Sequence, residues 1–422
     1  MKTGLDRIRQ LVEEYPDRKV QTIMHMVNKE TLAGVHARQE ANKASGVDEM
    51  TKKEYEQNLE GNLDELMRRM KQFSYRPQPV LRVYIPKDGS DKMRPLGIPS
   101  YEDKLVGGAM ADILTAIYEP KFYDFSYGFR KGRDCHQALE VLDKKLWNWT
   151  NWVVDADIKS FFDTVDHEWM MKFLEHDIQD KNFLRYISRF LKAGVMEGGQ
   201  RYESDSGGPQ GGSISAILSN VYLHYVIDMW FAKVVAKRSE GRAEMVRYAD
   251  DVVFCFERES DAKEFYEALK ERLRKFNLEL SEDKSKIIKF GRNAPNDAGK
   301  FDFLGFTHIT AKSRKGNFCV KRKTSLKKLK AKRRIVKAWL WVNMHSPIKL
   351  LIDNLNRKLQ GHYNYYGIIG NYESLNAFRN YVLDRLKATL NPRGSKHVFT
   401  DKLFWNLLSV YPVAMPKILL RI

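Results

Sequence analysis

A chain of 422 residues is too long for one small core and predicts two or three domains. With 43% apolar and 12% aromatic residues it reads as globular. Its 72 lysines and arginines against 54 acids leave a net charge of +18. That excess favours a polyanionic partner, with nucleic acid ahead of an anionic membrane surface, over a generally basic soluble protein. Cys135, Cys255 and Cys319 form no C-x-x-C pair, which argues against a zinc ribbon or a disulfide framework and fits a reducing compartment. Met1 to Gln10 is charged and has no long apolar run, so neither a signal peptide nor a membrane span is expected.

Apolar residues recur at helical spacing over 5–32, with a break expected at Pro16, and again over 52–71. Val80 to Pro86 reads as a strand closed by the turn at Pro86-Lys87-Asp88-Gly89, and Met93 to Ile98 as its hairpin partner. Residues 102–118 and 134–147 are helical in pattern, Trp152 to Ile158 is a short strand interrupted by acids, and 167–193 is helical again. A glycine-rich loop, Gly207 to Gly212, leads into a long helix from Ile214 to about Lys237. Then come two apolar runs around Tyr248-Ala249-Asp250-Asp251, a helix over 261–276, and strands at 278–280 and 286–290. Over 151–290 the order is β-helix-β-β-helix-β, a split-βαβ, ferredoxin-like pattern within an α+β chain. From Lys312 to Lys337 there are thirteen basic residues and no acid, and Leu326, Leu329, Ile335 and Leu340 keep helical spacing. The expectation is a basic amphipathic helix over 312–340 that tracks phosphates, with Lys327, Lys328, Lys332 and Arg333 as contacts; a solvated helix face is the alternative. Further helices are expected over 345–390.

The chemistry concentrates at Asp250 and Asp251. Adjacent carboxylates at a hairpin tip repel unless a cation lies between them, and hard divalent ions take carboxylate oxygens. A solvated turn is the plain alternative. Asp157 ends the first strand of the same unit, and the topology lets it meet the other two. Three carboxylates there suit two Mg²⁺ ions and in-line phosphoryl transfer. Asp155 shares its strand face, and Asp163 is close in sequence. Lys87 and Arg94 are basic residues suited to a nucleotide triphosphate, or else surface charges on an exposed hairpin.

Several segments together carry a family resemblance. They are Ser45-Gly46-Val47-Asp48, Tyr84-Ile85-Pro86-Lys87, Arg94-Pro95-Leu96-Gly97-Ile98-Pro99 and Ser126-Tyr127-Gly128-Phe129-Arg130. After Asp157 come Phe161-Phe162-Asp163, Pro209-Gln210-Gly211-Gly212 with Ile214-Ser215, and Tyr248-Ala249-Asp250-Asp251. Phe303-Leu304-Gly305-Phe306 and Gly361-His362-Tyr363-Asn364-Tyr365-Tyr366-Gly367 complete the series. Over about residues 5–385 the chain resembles reverse transcriptases, and among them the bacterial group II intron-encoded proteins. The resemblance implies a right-hand polymerase. Residues 1–75 would be an N-terminal extension and start of fingers, 76–306 fingers and palm, 307–390 an α-helical thumb or maturase domain, and 391–422 a short basic tail. It implies that Asp157, Asp250 and Asp251 are the catalytic metal ligands for two Mg²⁺ ions, and that Phe162 lies under the sugar and excludes a 2′-hydroxyl. Lys87, Arg94, Gln210 and Lys284 would contact the incoming nucleotide, Lys284 as a general acid. Phe303 to Phe306 would grip the primer, and Tyr363 and Tyr365 would stack on intron RNA.

The implied partners are group II intron RNA, an RNA template with its DNA primer, dNTPs and target DNA, in a bacterial cytoplasm with access to the nucleoid. Ala216, Lys131 and Gly208 depart from the family's usual proline, proline and threonine, and none removes a metal ligand. Only about thirty residues follow the maturase segment, so no C-terminal endonuclease is expected. Two other readings stay open: a domesticated reverse transcriptase of phage defence, CRISPR or diversity generation, and an RNA-binding splicing cofactor without polymerase chemistry.

Overall fold

The computed structural model describes residues 4–86, 93–203, 206–207, 212–292, 294, 299–313, 315–391 and 400–420. The chain forms two units, the first from the described residues of 1–85, 93–138 and 153–287, the second from those of 86–92, 139–152 and 288–422.

In the first unit, α1 (Gly4–Glu14) stops before Pro16. Asn28 and Thr31 cap α2 (Lys29–Arg38) reciprocally, and Thr51 and Glu54 do the same for α3 (Lys52–Glu56). The single helix expected over 52–71 is broken after Glu56, and α4 runs Leu59–Lys71. Strands β1 (Val80–Pro86) and β2 (Met93–Ile98) precede α5 (Tyr101–Tyr118), which is buried over most of its surface, as its lack of a polar face requires. Gly108 lets α2 approach α5, since a Cβ there would come 2.7 Å from Val35 Cγ1. After α6 (Cys135–Asn148), β3 (Trp152–Asp157) and the short α7 (Phe161–Thr164), the expected helix over 167–193 is two pieces, α8 (His167–Asp177) and α9 (Lys181–Leu191). Asp180 makes the last break, because its carboxylate caps the N–H groups of Asn182 and Phe183 and also accepts from Ile23 and Met24.

Strands β4 (Val195–Glu197) and β5 (Gln200–Tyr202) were not foreseen; three residues each carry too little alternation to register. They join β1 and β2 in the sheet β2-β1-β4-β5, with Val80 opposite Val195 in parallel. A continuous helix then runs from α10 (Ser213–Leu223) through π-helical turns at His224–Asp228 and Phe231–Val235 to α11 (Ala236–Arg238). Antiparallel β6 (Ala243–Tyr248) and β7 (Asp251–Phe256), α12 (Glu259–Lys275) and β8 (Lys286–Lys289) follow. The sheet order is β6-β7-β3-β8, so the first strand of the β-helix-β-β-helix-β segment lies between the third and fourth, as in a split βαβ. The strand expected at 278–280 reduces to one bridge, Ile158 with Leu280.

The second unit corrects the expectation of an all-helical region after residue 306. Strands β9 (Lys300–Phe303), β10 (Phe306–Lys312) and β11 (Phe318–Thr324) form an antiparallel sheet, and the helix α13 starts only at Leu326 and ends at Val342. The basic run is therefore half hairpin and half helix. On β11, Val320, Arg322 and Thr324 alternate inward, and Arg322 is buried opposite His308 and 3.6 Å from Asp143. That period of two was masked by the charges between. Helices α14 (Ile348–Tyr366) and α15 (Tyr372–Leu390) follow as expected. Beyond residue 400 the chain forms α16 (Asp401–Val410) and then packs on the unit: Asn356 bonds Pro412 O and Ala414 N, and Leu419 N donates to Gly367 O. Among the described residues no helix is long and apolar enough to cross a membrane.

Candidate active site

Tyr248 closes β6 and Asp251 opens β7, and they are opposed in register with Ala249 and Asp250 as a two-residue turn. Ala249 has φ +55°. A left-handed backbone costs a non-glycine residue about 1–2 kcal/mol, so surrounding structure must hold it. Three segments do. The Arg247 backbone is bonded on both sides to a neighbouring segment, donating to Phe125 O at 2.8 Å and accepting from Tyr127 N at 2.9 Å. The fully buried Arg247 guanidinium forks onto Asp228 at 2.8 and 2.5 Å and donates from Nη1 to Asn220 Oδ1 and to Ala249 O. Asn220 in turn donates to Gly128 O at 2.7 Å. Removing one partner of such a buried pair typically costs about 3–5 kcal/mol.

Asp250 is half-buried and Asp251 exposed. Strand β3, which carries Asp157 at its end, is hydrogen-bonded to β7, so the predicted acids lie on adjacent strands. The loop before β8 wraps the end of β3: Asp157 N donates to Ser285 Oγ, Ser281 N donates to Asp157 O, and Lys284 Nζ lies 2.6 Å from Asp157 Oδ2. Among the described residues no three acids are gathered closely enough to hold a metal ion. The donor chemistry nevertheless suits a hard cation, and the Lys284 ammonium stands in for positive charge on Asp157. Mg²⁺ is commonly held by one or two carboxylates with substrate phosphates supplying the rest, so a closed protein cage is not required. Burial pushes the Tyr248 phenol up to about 12, and the Cys135 thiol beside it adds to the rise; the tyrosine stays neutral next to the acids.

Phe162 is half-buried, with its neighbour Phe161 fully packed against Tyr222. It lines a cavity of about 190 Å³ with Arg82, Pro95, Leu96, Gly97, Ser206 and Gly207. Arg94 is exposed one residue before that lining. Gly207, at φ +81°, presses on the backbone of Phe162 and Asp163, where a Cβ would come within 2.9 Å of both carbonyl oxygens. Lys87 and Gln210 lie outside the described residues.

In the second unit, Leu304 and Gly305 form the tight turn between Phe303 and Phe306, and Tyr365 Oη donates to Leu304 O at 2.8 Å. The expected RNA-stacking role of Tyr363 is corrected here, because its ring is wholly buried. Tyr365 is half-buried and stacks on Phe306. Burial depresses His362, in the same motif, to about 4. Of the basic contacts, Lys327 is exposed, Lys328 and Lys332 are half-buried, and Arg333 lies over the Tyr381 ring. The exposed face of α13 carries Lys330, Arg334, Lys337 and Trp341 as well, which pattern alone did not separate from their neighbours. Arg247, Asp228 and Asn220 were also missed. Each is a polar residue in a largely apolar stretch, a signal that points inward but names no partner.

A family model described as reverse transcriptase (RNA-dependent DNA polymerase) matches residues 85–308. The chain belongs to the reverse transcriptase family. It is 30% identical over 424 residues to the group II intron-encoded protein LtrA of Lactococcus lactis subsp. cremoris, covering 80% of this chain and 68% of that protein. It is also 33% identical over 309 residues to the protein YkfC of Escherichia coli K12, covering 65% of this chain and 78% of that one. An uncharacterized 91 kDa protein in the cob intron of Schizosaccharomyces pombe is 39% identical over 163 residues, 38% of this chain and 20% of that protein. The chain is thus an RNA-directed DNA polymerase of the group II intron-encoded type.

Proposed function

We propose that the protein copies RNA into cDNA by phosphoryl transfer at Asp157, Asp250 and Asp251, and assists splicing and mobility of a group II intron RNA. The observation that carries the reading is the strained Ala249 turn, which presents Asp250 and Asp251 on the strand next to the one that ends in Asp157. In this reading β1 and β2 belong to the fingers, the β6-β7-β3-β8 sheet is the palm, and α13 to α15 are the thumb or maturase region. Two bound Mg²⁺ ions would supply charge neutralisation and activation of the primer hydroxyl. Asp157, Asp250 and Asp251 would be the residues that hold these cations. Lys284, paired with Asp157, would contact the triphosphate and serve as its general acid. Phe162, on the cavity floor next to Leu96 and Gly97, occupies the space a ribose 2′-hydroxyl would need. The exposed basic residues of α13, Lys327, Lys330 and Arg334 among them, supply phosphate contacts for intron RNA and for the template with its primer.

Primer extension on an RNA template with Asp250→Ala tests the site. Loss of extension with retained RNA binding is expected, and Mg²⁺-dependent extension at parental rate refutes the assignment. Splicing at low Mg²⁺ with the same variant tests the second role: retained splicing is expected, because the RNA-binding surface does not include the acids.

A further inference from the structure

We propose that Arg247, Asp228 and Asn220 form a positioning device that sets the backbone of the catalytic turn and so aims the carboxylates of Asp250 and Asp251. The proposal rests on reading those two acids as metal ligands. One guanidinium ties two positions of the long helix to the turn. Nε and Nη2 are held by Asp228, on the π-helical turn His224–Asp228, while Nη1 donates to Asn220 Oδ1 at 3.1 Å and to Ala249 O at 3.0 Å. The last bond is the important one. The carbonyl of Ala249 belongs to the peptide plane that carries the Asp250 N–H, so pinning that oxygen fixes the orientation from which the Asp250 side chain departs. Ala249 at φ +55° has no intrinsic reason to stay there, whereas a glycine would.

The rest of the network closes around the same turn. Asn220 Nδ2 bonds Gly128 O, and Gly128 lies so close under the turn that a Cβ would come 2.3 Å from Ala249 N. Arg247, Asp228 and Asn220 are each fully buried. The guanidinium charge is matched by the Asp228 carboxylate, so the pair adds little net field at the acids and its effect on them is geometric. His224, with Nδ1 3.9 Å from Asp228 Oδ2, is depressed by burial to about 4 and stays neutral, leaving the pair balanced. The π-helical turn supplies the register: its extra residue per turn alters which side chain faces β6, a feature frequent at functional sites.

The test uses the full chain and Mn²⁺ alone as probe, read by its EPR signal, alongside single-nucleotide extension on an RNA template. Asn220→Ala removes one leg without unbalancing the ion pair. It is expected to weaken Mn²⁺ binding about tenfold and lower kcat by a similar factor, with affinity for template and primer within twofold. Arg247→Lys keeps the charge but not the fork, and is expected to do more. Adding Ala249→Gly to Asn220→Ala should recover most of the Mn²⁺ affinity, because glycine takes the left-handed backbone freely. Unchanged Mn²⁺ affinity in folded Asn220→Ala, with activity tracking only the folded fraction, overturns the proposal. If Arg247→Lys fails to fold, Asn220→Ala and its glycine rescue still decide. Parental Mn²⁺ binding in Asp250→Ala would instead sink the metal-ligand reading beneath it.

Discussion

Gly128→Ala should disable the polymerase without touching any acid. The added Cβ would lie 2.3 Å from Ala249 N and 3.0 Å from its Cα and Cβ, whereas ordinary contact begins near 3.4 Å. The obstructing atoms include backbone, which has no rotamer to change. Nor can Gly128 retreat, because Asn220 holds its carbonyl and Tyr127 is bonded to Arg247 O. The turn must therefore move by about 1 Å, a displacement that typically costs ~100-fold in rate, or ~2.7 kcal/mol of barrier. Overpacking of this kind costs about 1–3 kcal/mol of stability, within what a folded domain of ordinary stability tolerates. Single-turnover extension on an RNA template is the assay, with melting and RNA affinity measured on the same preparation. A kcat within threefold of the parent would refute the reasoning. Gly34→Ala is the control: on α2 a Cβ meets nothing within 4 Å, so activity should be unchanged and the helix stabilised by about 0.5–1 kcal/mol.

On the proposed role of Phe162, Phe162→Val enlarges the cavity that it lines and should raise ribonucleotide incorporation relative to dNTPs by at least about tenfold in a competition assay; unchanged discrimination would remove Phe162 from the sugar site. Burial depresses His308 to about 3, and His224 and His362 to about 4, below the ordinary 6.5. The unfolded chain therefore takes up three protons that the folded chain refuses. Their contribution to stability, complete above pH 6.5, should fall by about 4.1 kcal/mol per pH unit between there and pH 4. His308→Phe, continuing the stack on Phe301, should lower that slope by about a third in acid melts, and an unchanged slope would contradict it. Replacing Lys327, Lys330 and Arg334 with Gln should flatten the dependence of log RNA affinity on log salt by about 2–3. Tyr363→Phe should leave RNA affinity within twofold, because that ring is inside the core and its hydroxyl donates to Ala414 O.

Much of the first unit was legible because its signals are local. The strand–turn–strand around Asp250 and the acidic strand ending at Asp157 follow from alternation and turn chemistry over a few residues. Their interleaving then follows from the β-helix-β-β-helix-β order. The failures were also physical. In β11 the inward face carries Arg322, so a strand looked like the start of a charged helix until Asp143 and His308 appeared beside it. The aromatic run around Tyr363 looked like an RNA-stacking face, yet His362, Tyr363 and Tyr366 form the buried side of α14.

By itself the sequence determined the type of chemistry: clustered acids in a basic chain, in the order that marks an RNA-directed DNA polymerase. Residue type and short spacing are enough for that, because carboxylates, turns and strands announce themselves locally. Only the tertiary structure decided what holds the acids in place. Asp228 and Asn220 are nineteen and twenty-seven residues from Arg247, and Gly128 is far earlier in the chain. No local pattern couples them. They meet at one turn only because the helix containing the π-turn, the segment at 125–128 and the hairpin are packed together.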